Sequence, residues 1–239
     1  MAHRPRVSCL MPTRGRAAWL PGAVAGFLRQ EGVVDAELLV VSEDAPPAGL
    51  AALPRGGPVR WVACPPGLPL GSKRNLAVAE AAGDLLLHWD DDDLQAPDRL
   101  RRQLRALARP GVQVCGASRL WLRDLRDGST WRYRYGDPQP WVAGATLAYT
   151  RAYARRHPFA ALDVGEDNAF VAAALPGELL DLADAQLCLC SLHDGNTSPR
   201  RTTGPWWQRR AALPAYWLAR LHEAAQAAAG PWADTVGLA

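Results

Sequence analysis

Leu85-Leu86-Leu87-His88-Trp89-Asp90-Asp91-Asp92-Asp93 joins an apolar run directly to four consecutive carboxylates. Such a run reads as a buried strand delivering its C-terminal end to a polar site. Adjacent like charges repel, and the cluster is easiest to explain if a divalent cation shares it. Carboxylate oxygens are hard ligands, so Mg²⁺ or Mn²⁺ is favoured over zinc. The run alone leaves a second reading open: a solvated acidic turn ahead of a helix beginning near Pro97, where carboxylates suit the N-terminus.

Outward from this stretch, strands are expected over 7–11, 37–41 and 59–62. Helices are expected over about 17–29 and 73–82, the second stopped by Gly83-Asp84 just before the apolar run. This alternation predicts a mostly parallel sheet with crossover helices. Ligands of open α/β sheets bind beyond the carboxyl ends of the strands, so residues 13–16, Glu43, Asp44 and the four aspartates are expected to line one crevice. The second half changes character. Residues 112–123 and 130–135 read as an antiparallel hairpin through Asp127-Gly128, 144–150 as a short strand followed by a helix near 151–156, and 187–192 as an alternating strand ending at His193. From Pro205 onward the chain carries Trp206, Trp207, Trp217 and Trp232. Within this tail Pro214 opens a helix whose Trp217, Leu218, Leu221, Ala225 and Ala228 share a face.

With 239 residues, 49% of them hydrophobic, the chain is long enough for one sizeable core. Its net charge of +3 is too small to argue for a nucleic-acid partner. Lys73 is the only lysine among 27 lysine and arginine residues, which draws attention to it. Five cysteines without a regular framework fit a reducing compartment. Met1-Ala2-His3-Arg4-Pro5-Arg6 leads into a short apolar run broken by Pro12 and Arg14, unlike a secretory signal. No stretch approaches the roughly 18 uninterrupted apolar residues of a membrane span. The expected compartment is therefore the cytoplasm. There is no Gly-x-Gly-x-x-Gly after a strand, Gly67 to Lys73 has the wrong spacing for a phosphate loop, and no hydrolase elbow or His-Glu-x-x-His helix occurs.

Pro12-Thr13-Arg14 follows the first strand and Gly71-Ser72-Lys73-Arg74-Asn75 opens a helix. Gly83-Asp84, the four aspartates, Gly165-Glu166-Asp167 and His193-Asp194-Gly195-Asn196-Thr197-Ser198 come after them. In this order, over about residues 6–198, the chain resembles a family 2 glycosyltransferase with the GT-A fold. The resemblance implies a Rossmann-like, mixed but mostly parallel central sheet flanked by helices, with a small antiparallel acceptor-side region and a C-terminal helix. It implies a domain over 1–204, with a nucleotide-binding half of about 1–110 and an acceptor half of about 111–204. A Trp/Arg-rich helical tail, 205–239, would pack on that domain.

The activity implied is a metal-dependent, inverting transfer of a sugar from a nucleoside diphosphate sugar. A UDP-sugar is placed ahead of a GDP- or dTDP-sugar. The acceptor stays open among glycan, lipid-linked, peptide and small-molecule nucleophiles. The leaving diphosphate needs a cation, and Mn²⁺ or Mg²⁺ on Asp90 and Asp92 would supply it. By resemblance Asp92 is the direct ligand, and Asp90 faces the ribose or the metal through water. Asp91, grouped with the nucleotide-side residues, would point the other way along an extended backbone and is best read as a bystander. Asp93 either touches the sugar or holds the run in place. Pro12, Thr13 and Arg14 are assigned to the nucleotide site, as are Lys73, Arg74 and Asn75, at a helix start where backbone N–H groups favour anions. Either Glu43 or Asp44 would read the base.

Asp167 is the expected general base, with Glu166 as the alternative; acidic capping of a helix is compatible with that role. His193 is expected as a third metal ligand, against the commoner fate of a surface histidine. Cys188 and Cys190 share a buried face opposite His193 and read as structural. From residue 195 the chain has five arginines against two acids. Packing of the tail is preferred over peripheral docking on the inner face of an anionic membrane. Trp141 and the 197–207 loop are expected to shape the acceptor site. Two rivals remain. One is a non-catalytic nucleotide- or glycan-binding module; the other is a nucleotidylyltransferase, for which residues 12–16 are too sparse in glycine and basic groups.

Overall fold

The apolar run before the aspartates lies inside the main sheet. The structure, a computed structural model, describes residues 7–33, 35–51, 56–198 and 201–226. The first half runs β1 (Val7–Thr13), α1 (Leu20–Leu28), β2 (Ala36–Ser42), α2 (Ala48–Ala51), β3 (Val59–Ala63), α3 (Leu70–Glu80), β4 (Leu85–His88), β5 (Leu94–Gln95) and α4 (Arg99–Leu107). The second half runs β6 (Val114–Gly116), β7 (Arg119–Asp124), β8 (Thr130–Arg134), a 3₁₀ turn (Gly144–Thr146), β9 (Ala148–Thr150), α5 (Arg151–Arg156), α6 (Glu166–Ala172), β10 (Leu179–Asp181), β11 (Cys188–Leu192), β12 (Trp207–Arg210) and α7 (Ala215–Gln226).

The main sheet has the order β10-β6-β9-β4-β1-β2-β3. Strands β4, β1, β2 and β3 are mutually parallel, with Cys9 opposite both Leu38 and Leu87. Strand β9 runs antiparallel to β4 and β6. Both faces are covered, which is why these strands read as apolar runs rather than alternations. Cys9, Met11, Leu38, Val40 and Leu87 pack with Leu20, Val24 and Phe27 of α1 and Leu100 of α4. Leu10, Leu39, Val41 and Leu86 pack on the opposite face with Ala77, Tyr153 and Phe170 of α3, α5 and α6.

A second sheet, β12-β8-β7-β11-β5, stands beside the first. Leu213, Trp217 and Leu221 cover one of its faces against Leu189, Leu94 and Trp121. The other face holds Leu120, Leu122, Cys188, Cys190 and Leu192 against Ala143 and Ala145. The two cysteines are free and buried there, and their sulfurs come within reach of the Asp93 carboxylate.

Several expectations about elements need correction. Residues 112–123 are two strands in two sheets, because Ser118 turns the chain: its N–H and hydroxyl donate to the Asp181 carboxylate at 2.9 and 2.6 Å. Residues 144–150 begin as the 3₁₀ turn and only end as a strand. Helix α3 starts at Leu70, three residues before Lys73. The segment after Pro205 is not wholly helical, since β12 pairs antiparallel with β8 and takes Trp207 into the second sheet. Helix α7 follows, with Trp217 and Leu218 donating to the Pro214 carbonyl and Trp217 fully buried. Ala228 and Trp232 lie outside the described residues. Among the described residues no helix is long and apolar enough to cross a membrane.

Candidate active site

Strands β1, β2 and β4 end side by side, and the aspartates follow β4 as a turn rather than as extended chain. Side-chain alternation fails in a turn, and that changes the reading of Asp91. Its carboxylate is buried and accepts from the Thr13 hydroxyl at 2.5 Å and from Arg16 Nη1 at 2.8 Å. Burial and the neighbouring Asp92 push Asp91 up to about 6, against the pull of Arg16. Asp91 is therefore the anchor that ties the turn to β1, not a bystander, and Thr13 serves as its partner.

The other three aspartates diverge. Asp90 is half-buried and faces Arg74 Nη2 at 3.9 Å. Asp92 Oδ2 accepts from Arg16 Nη1 at 2.8 Å, His193 Nε2 at 3.0 Å and Asn196 Nδ2 at 3.3 Å. Asp93 Oδ1 accepts from the Ser191 N–H of β11 at 3.0 Å, which holds the turn against the second sheet. Carboxylate oxygens of Asp90, Asp92 and Asp93 lie within 4.8 Å of one another. Three hard oxygen donors at that spacing fit Mn²⁺ or Mg²⁺.

Arg16 is the cation already at this turn. It bridges Asp91 and Asp92 and also donates to the Gly195 carbonyl. Burial works against its charge, but Asp92 and Asp91 outweigh burial and raise its pKa. His193 stacks on Trp19 at 4.6 Å between ring centroids. Its Nδ1 accepts from the Gly195 N–H at 3.1 Å, so Nε2 carries the proton and donates to Asp92. In this arrangement His193 orients a carboxylate. It joins a ligand set only when Gly195 gives up Nδ1 and the ring proton moves there.

At the ends of β1 and β2, Lys73 is buried and its Nζ donates to Glu43 Oε1 at 3.2 Å and the Thr13 carbonyl at 3.4 Å. The Gly67 amide, above all, and then Lys73 and Arg14 hold Glu43 below the usual carboxylate range. Arg14 is exposed, 3.6 Å from Glu43. Asp44 accepts from the Gly15 N–H at 2.5 Å. The two acids thus fasten the two loops that flank the crevice. The α3 N-terminus is not open to an anion, because Leu70 N–H donates to Asp163 at 3.0 Å and Gly71 N–H to the Leu162 carbonyl at 2.9 Å. Asn75 is also committed elsewhere: its amide donates to the Phe159 carbonyl at 2.8 Å and accepts from the Phe159 N–H at 2.9 Å. It positions the loop before α6 instead of facing the crevice.

Helix α6 begins with both expected acids. Glu166 is buried and pairs with Arg74, which also lies over the Phe159 ring. Burial raises the Glu166 pKa in spite of Arg74. Asp167 faces Gly144 so closely that a Cβ there would fall 2.1 Å from its Oδ2. The Gly144 carbonyl accepts from His88 Nδ1 at 2.8 Å, and His88 Nε2 accepts from the Tyr149 hydroxyl at 3.2 Å. Burial lowers the His88 pKa well below its ordinary value, consistent with this neutral arrangement.

One cavity of about 530 Å³ is lined by Pro12, Arg16, Arg74, the four aspartates, Glu166, Asp167 and Asn196. Glu43, Asp44, Lys73 and Asn75 do not line it, and neither does His193. Residues 13–16 were expected at the crevice, and Arg16 lines the cavity, but nothing in the sequence distinguishes it from Arg14 as the partner of the aspartates. Sequence reading gave no role to Asn196, Gly144 or Tyr133, whereas Trp141 and, from the 197–207 loop, Trp206 and Trp207 do line the cavity.

A family model described as Glycosyl transferase family 2 matches residues 8–164. No curated protein matches the sequence. Among solved structures, the mannosyltransferase PcManGT from Pyrobaculum calidifontis, in complex with GDP-Man and Mn²⁺, is 20% identical with a TM-score of 0.59, over 98% of this chain and 65% of that one. S. aureus TarS 1-349 is 15% identical with a TM-score of 0.59, over 78% of this chain and 60% of that one. Its complex with UDP-GlcNAc is 15% identical with a TM-score of 0.58, over 92% and 66%. The chain thus spans about two thirds or less of the length of these structures, and likeness at such identities shows the fold. With the family model matching well over half of the sequence and these folds beside it, the chain belongs to glycosyl transferase family 2 and has the GT-A fold.

Proposed function

We propose that this chain transfers a hexosyl or related sugar from a nucleoside diphosphate sugar to an acceptor hydroxyl, with inversion at the anomeric carbon. The observation that carries the reading is a single cavity lined by Asp90, Asp92, Arg74 and Asp167, with Arg74 Nη2 3.9 Å from Asp90. The complexes of PcManGT with GDP-Man and Mn²⁺ and of TarS with UDP-GlcNAc support a nucleotide-sugar donor.

In this reading Asp167 takes the proton from the acceptor hydroxyl as its oxygen bonds to the anomeric carbon. The bond from that carbon to the phosphate oxygen breaks, and its electron pair leaves with the diphosphate. Arg74 lies where that charge grows, and a buried cation acts there with less screening than in water. Glu166 serves by holding Arg74, which leaves Asp167 as the base. Asp90 and Asp92, with Asp93 behind them, are the residues that would hold Mn²⁺ or Mg²⁺. The ion would supply electrophilic neutralisation of the leaving diphosphate. Lys73 reaches the crevice from the nucleotide side through Glu43 and the end of β1.

The test is a panel of nucleotide sugars with Mn²⁺ or Mg²⁺, scored for nucleoside diphosphate release with and without acceptors. One donor should be turned over. Asp167→Asn should keep nucleotide affinity while lowering transfer by about 10²–10⁴-fold. Collapse of nucleotide affinity in that variant would remove Asp167 from the base role. Nucleotide binding without turnover of any donor would instead identify a binding module.

A further inference from the structure

Of the chain's ten tryptophans, Trp89 and Trp217 are buried in cores, whereas Trp141, Trp206 and Trp207 are only half-buried. Trp141 and Trp206 gather with Tyr133 and Tyr135 into one cluster. Tyr135 lies 5.0 Å from Trp141 and 4.8 Å from Trp206 between ring centroids, and Tyr133 lies 5.7 Å from Trp141 and 6.3 Å from Trp206. Large rings left half-exposed on a folded surface need a reason, because burying them would be worth kilocalories each.

The cluster's position supplies one. Tyr133, Trp141, Trp206 and Asn168 line the catalytic cavity, and they also line an adjoining depression of about 520 Å³. Sharing these four side chains, the two spaces adjoin as a trough beside Asp167 and α6. The trough is held rigidly. Trp141 Nε1 donates to Asn168 Oδ1 at 3.2 Å, next to Asp167 in sequence. The Arg134 N–H donates to the Trp206 carbonyl and the Tyr135 N–H to the Ser118 carbonyl, both at 3.0 Å. Aromatic faces fixed in this way are preorganised for a ligand.

We infer that Tyr133, Tyr135, Trp141 and Trp206 form the acceptor subsite for a neutral carbohydrate chain of more than one sugar. The inference rests on the transferase reading and names the acceptor class for it. A pyranose ring has an apolar C–H face that lies flat on an indole or phenol and an edge of hydroxyls that needs polar partners. The trough offers both, with Gln139 and Asn168 between the rings. No charged side chain lines the outer depression among the described residues, which selects against an anionic or cationic acceptor there. An alkyl or prenyl chain would want a continuous aliphatic wall, whereas the aliphatic groups of the depression are small ones on α6 and Pro140.

The test is calorimetric titration of the intact chain with neutral linear gluco-, manno- and N-acetylglucosamine oligosaccharides, from monosaccharide to hexasaccharide. Affinity should rise with length beyond the monosaccharide for at least one series. Trp206→Ala and Trp141→Ala should each weaken that binding about tenfold or more, and Trp206→Phe should retain most of it. Absence of binding across the panel overturns the inference, as does binding indifferent to both alanine variants. So does tighter binding of an octyl glycoside than of the trisaccharide, which would make the trough a site for an apolar aglycone. A parallel titration of the unmodified chain with nucleoside diphosphate and Mn²⁺ reports on the transferase reading separately. Oligosaccharide binding decides the acceptor inference whichever way that second titration falls.

Discussion

Arg16 joins two buried neighbours of like charge, Asp91 and Asp92, at 2.8 Å each. Removing Arg16 leaves the two carboxylates with neutral donors such as Thr13, His193 and Asn196 but without the cation that offsets their charge. Arg16→Ala should therefore lower stability by about 2–3 kcal/mol, less than a fully buried pair would lose because Arg16 retains some exposure to water. Excess Mn²⁺ should raise the thermal midpoint of this variant more than that of the parent chain, since a ligand of the folded state stabilises by mass action and the variant's carboxylates lack their internal cation. Equal midpoint shifts would mean that Arg16 and the metal do not share the aspartates. Gly144 poses a second test at this scale. Its missing Cβ is what lets the Asp167 carboxylate lie where it does. Gly144→Ala should turn that carboxylate aside and lower kcat by about 10²-fold, with the dissociation constant for the nucleoside diphosphate unchanged. That Asp90, Asp92, Arg74 and Asp167 share one cavity was legible in sequence through the motifs that carry them. The standing of Asp91 was not, because it depends on whether four residues turn or extend. The protonated nitrogen of His193 is set by an amide two residues away, which a residue type does not encode.

At the scale of elements, Gly71-Ser72-Lys73-Arg74-Asn75 shows what a quoted stretch can and cannot carry. It forecasts a helix with Lys73 and Arg74 turned to the site; Arg74 lines the cavity, whereas Lys73 is held by Glu43 and does not. It also suggests open amides for phosphate, yet α3 starts earlier and spends its first N–H groups on residues 162 and 163. Contacts made across some ninety positions leave no periodic trace in either segment. They do leave a requirement: a Cβ on Gly71 would sit 1.8 Å from the Ala160 carbonyl oxygen, a backbone atom that cannot step aside alone. Gly71→Ala should then cost about 3 kcal/mol, read as a lower urea midpoint at unchanged slope. A midpoint within experimental error of the parent would show that the 158–163 loop yields freely. Gly83 has the same constraint against Val7 and Ser8, so the glycine of Gly83-Asp84 is set by packing on β1. The second sheet was the least legible element. The hairpin of β7 and β8 follows from alternation around Asp127-Gly128. Its neighbours β11 and β12 come from 65 or more residues further along the chain, and only the folded chain shows them side by side.

Across the whole molecule, the two sheets meet at Arg99, which is fully buried. One of its nitrogens, Nη2, donates at 2.9 Å to the His88 carbonyl at the end of β4 and at 2.9 Å to the Ala145 carbonyl in the 3₁₀ turn. Its Nε donates to Gln103 at 2.9 Å, its other terminal nitrogen reaches Gln95 of β5, and its guanidinium lies over Trp89. The two sheets are thus joined by a group that bonds to β4, β5, the 3₁₀ turn and its own helix α4. Such a junction gives neither half a separate core boundary at which to unfold alone, so the chain should melt in one step. Far-UV circular dichroism and tryptophan fluorescence should report the same urea midpoint in the parent chain. Arg99→Ala would strand buried carbonyls and open a cavity under the aspartate turn, lowering stability by about 3–5 kcal/mol. Arg99→Lys, which keeps a charge but loses the planar fork, should recover only part of it. If the two probes separate in the parent chain, the halves unfold independently and Arg99 is a local contact. If they coincide in the parent and separate only in Arg99→Ala, this one side chain is what makes the two sheets a single unit.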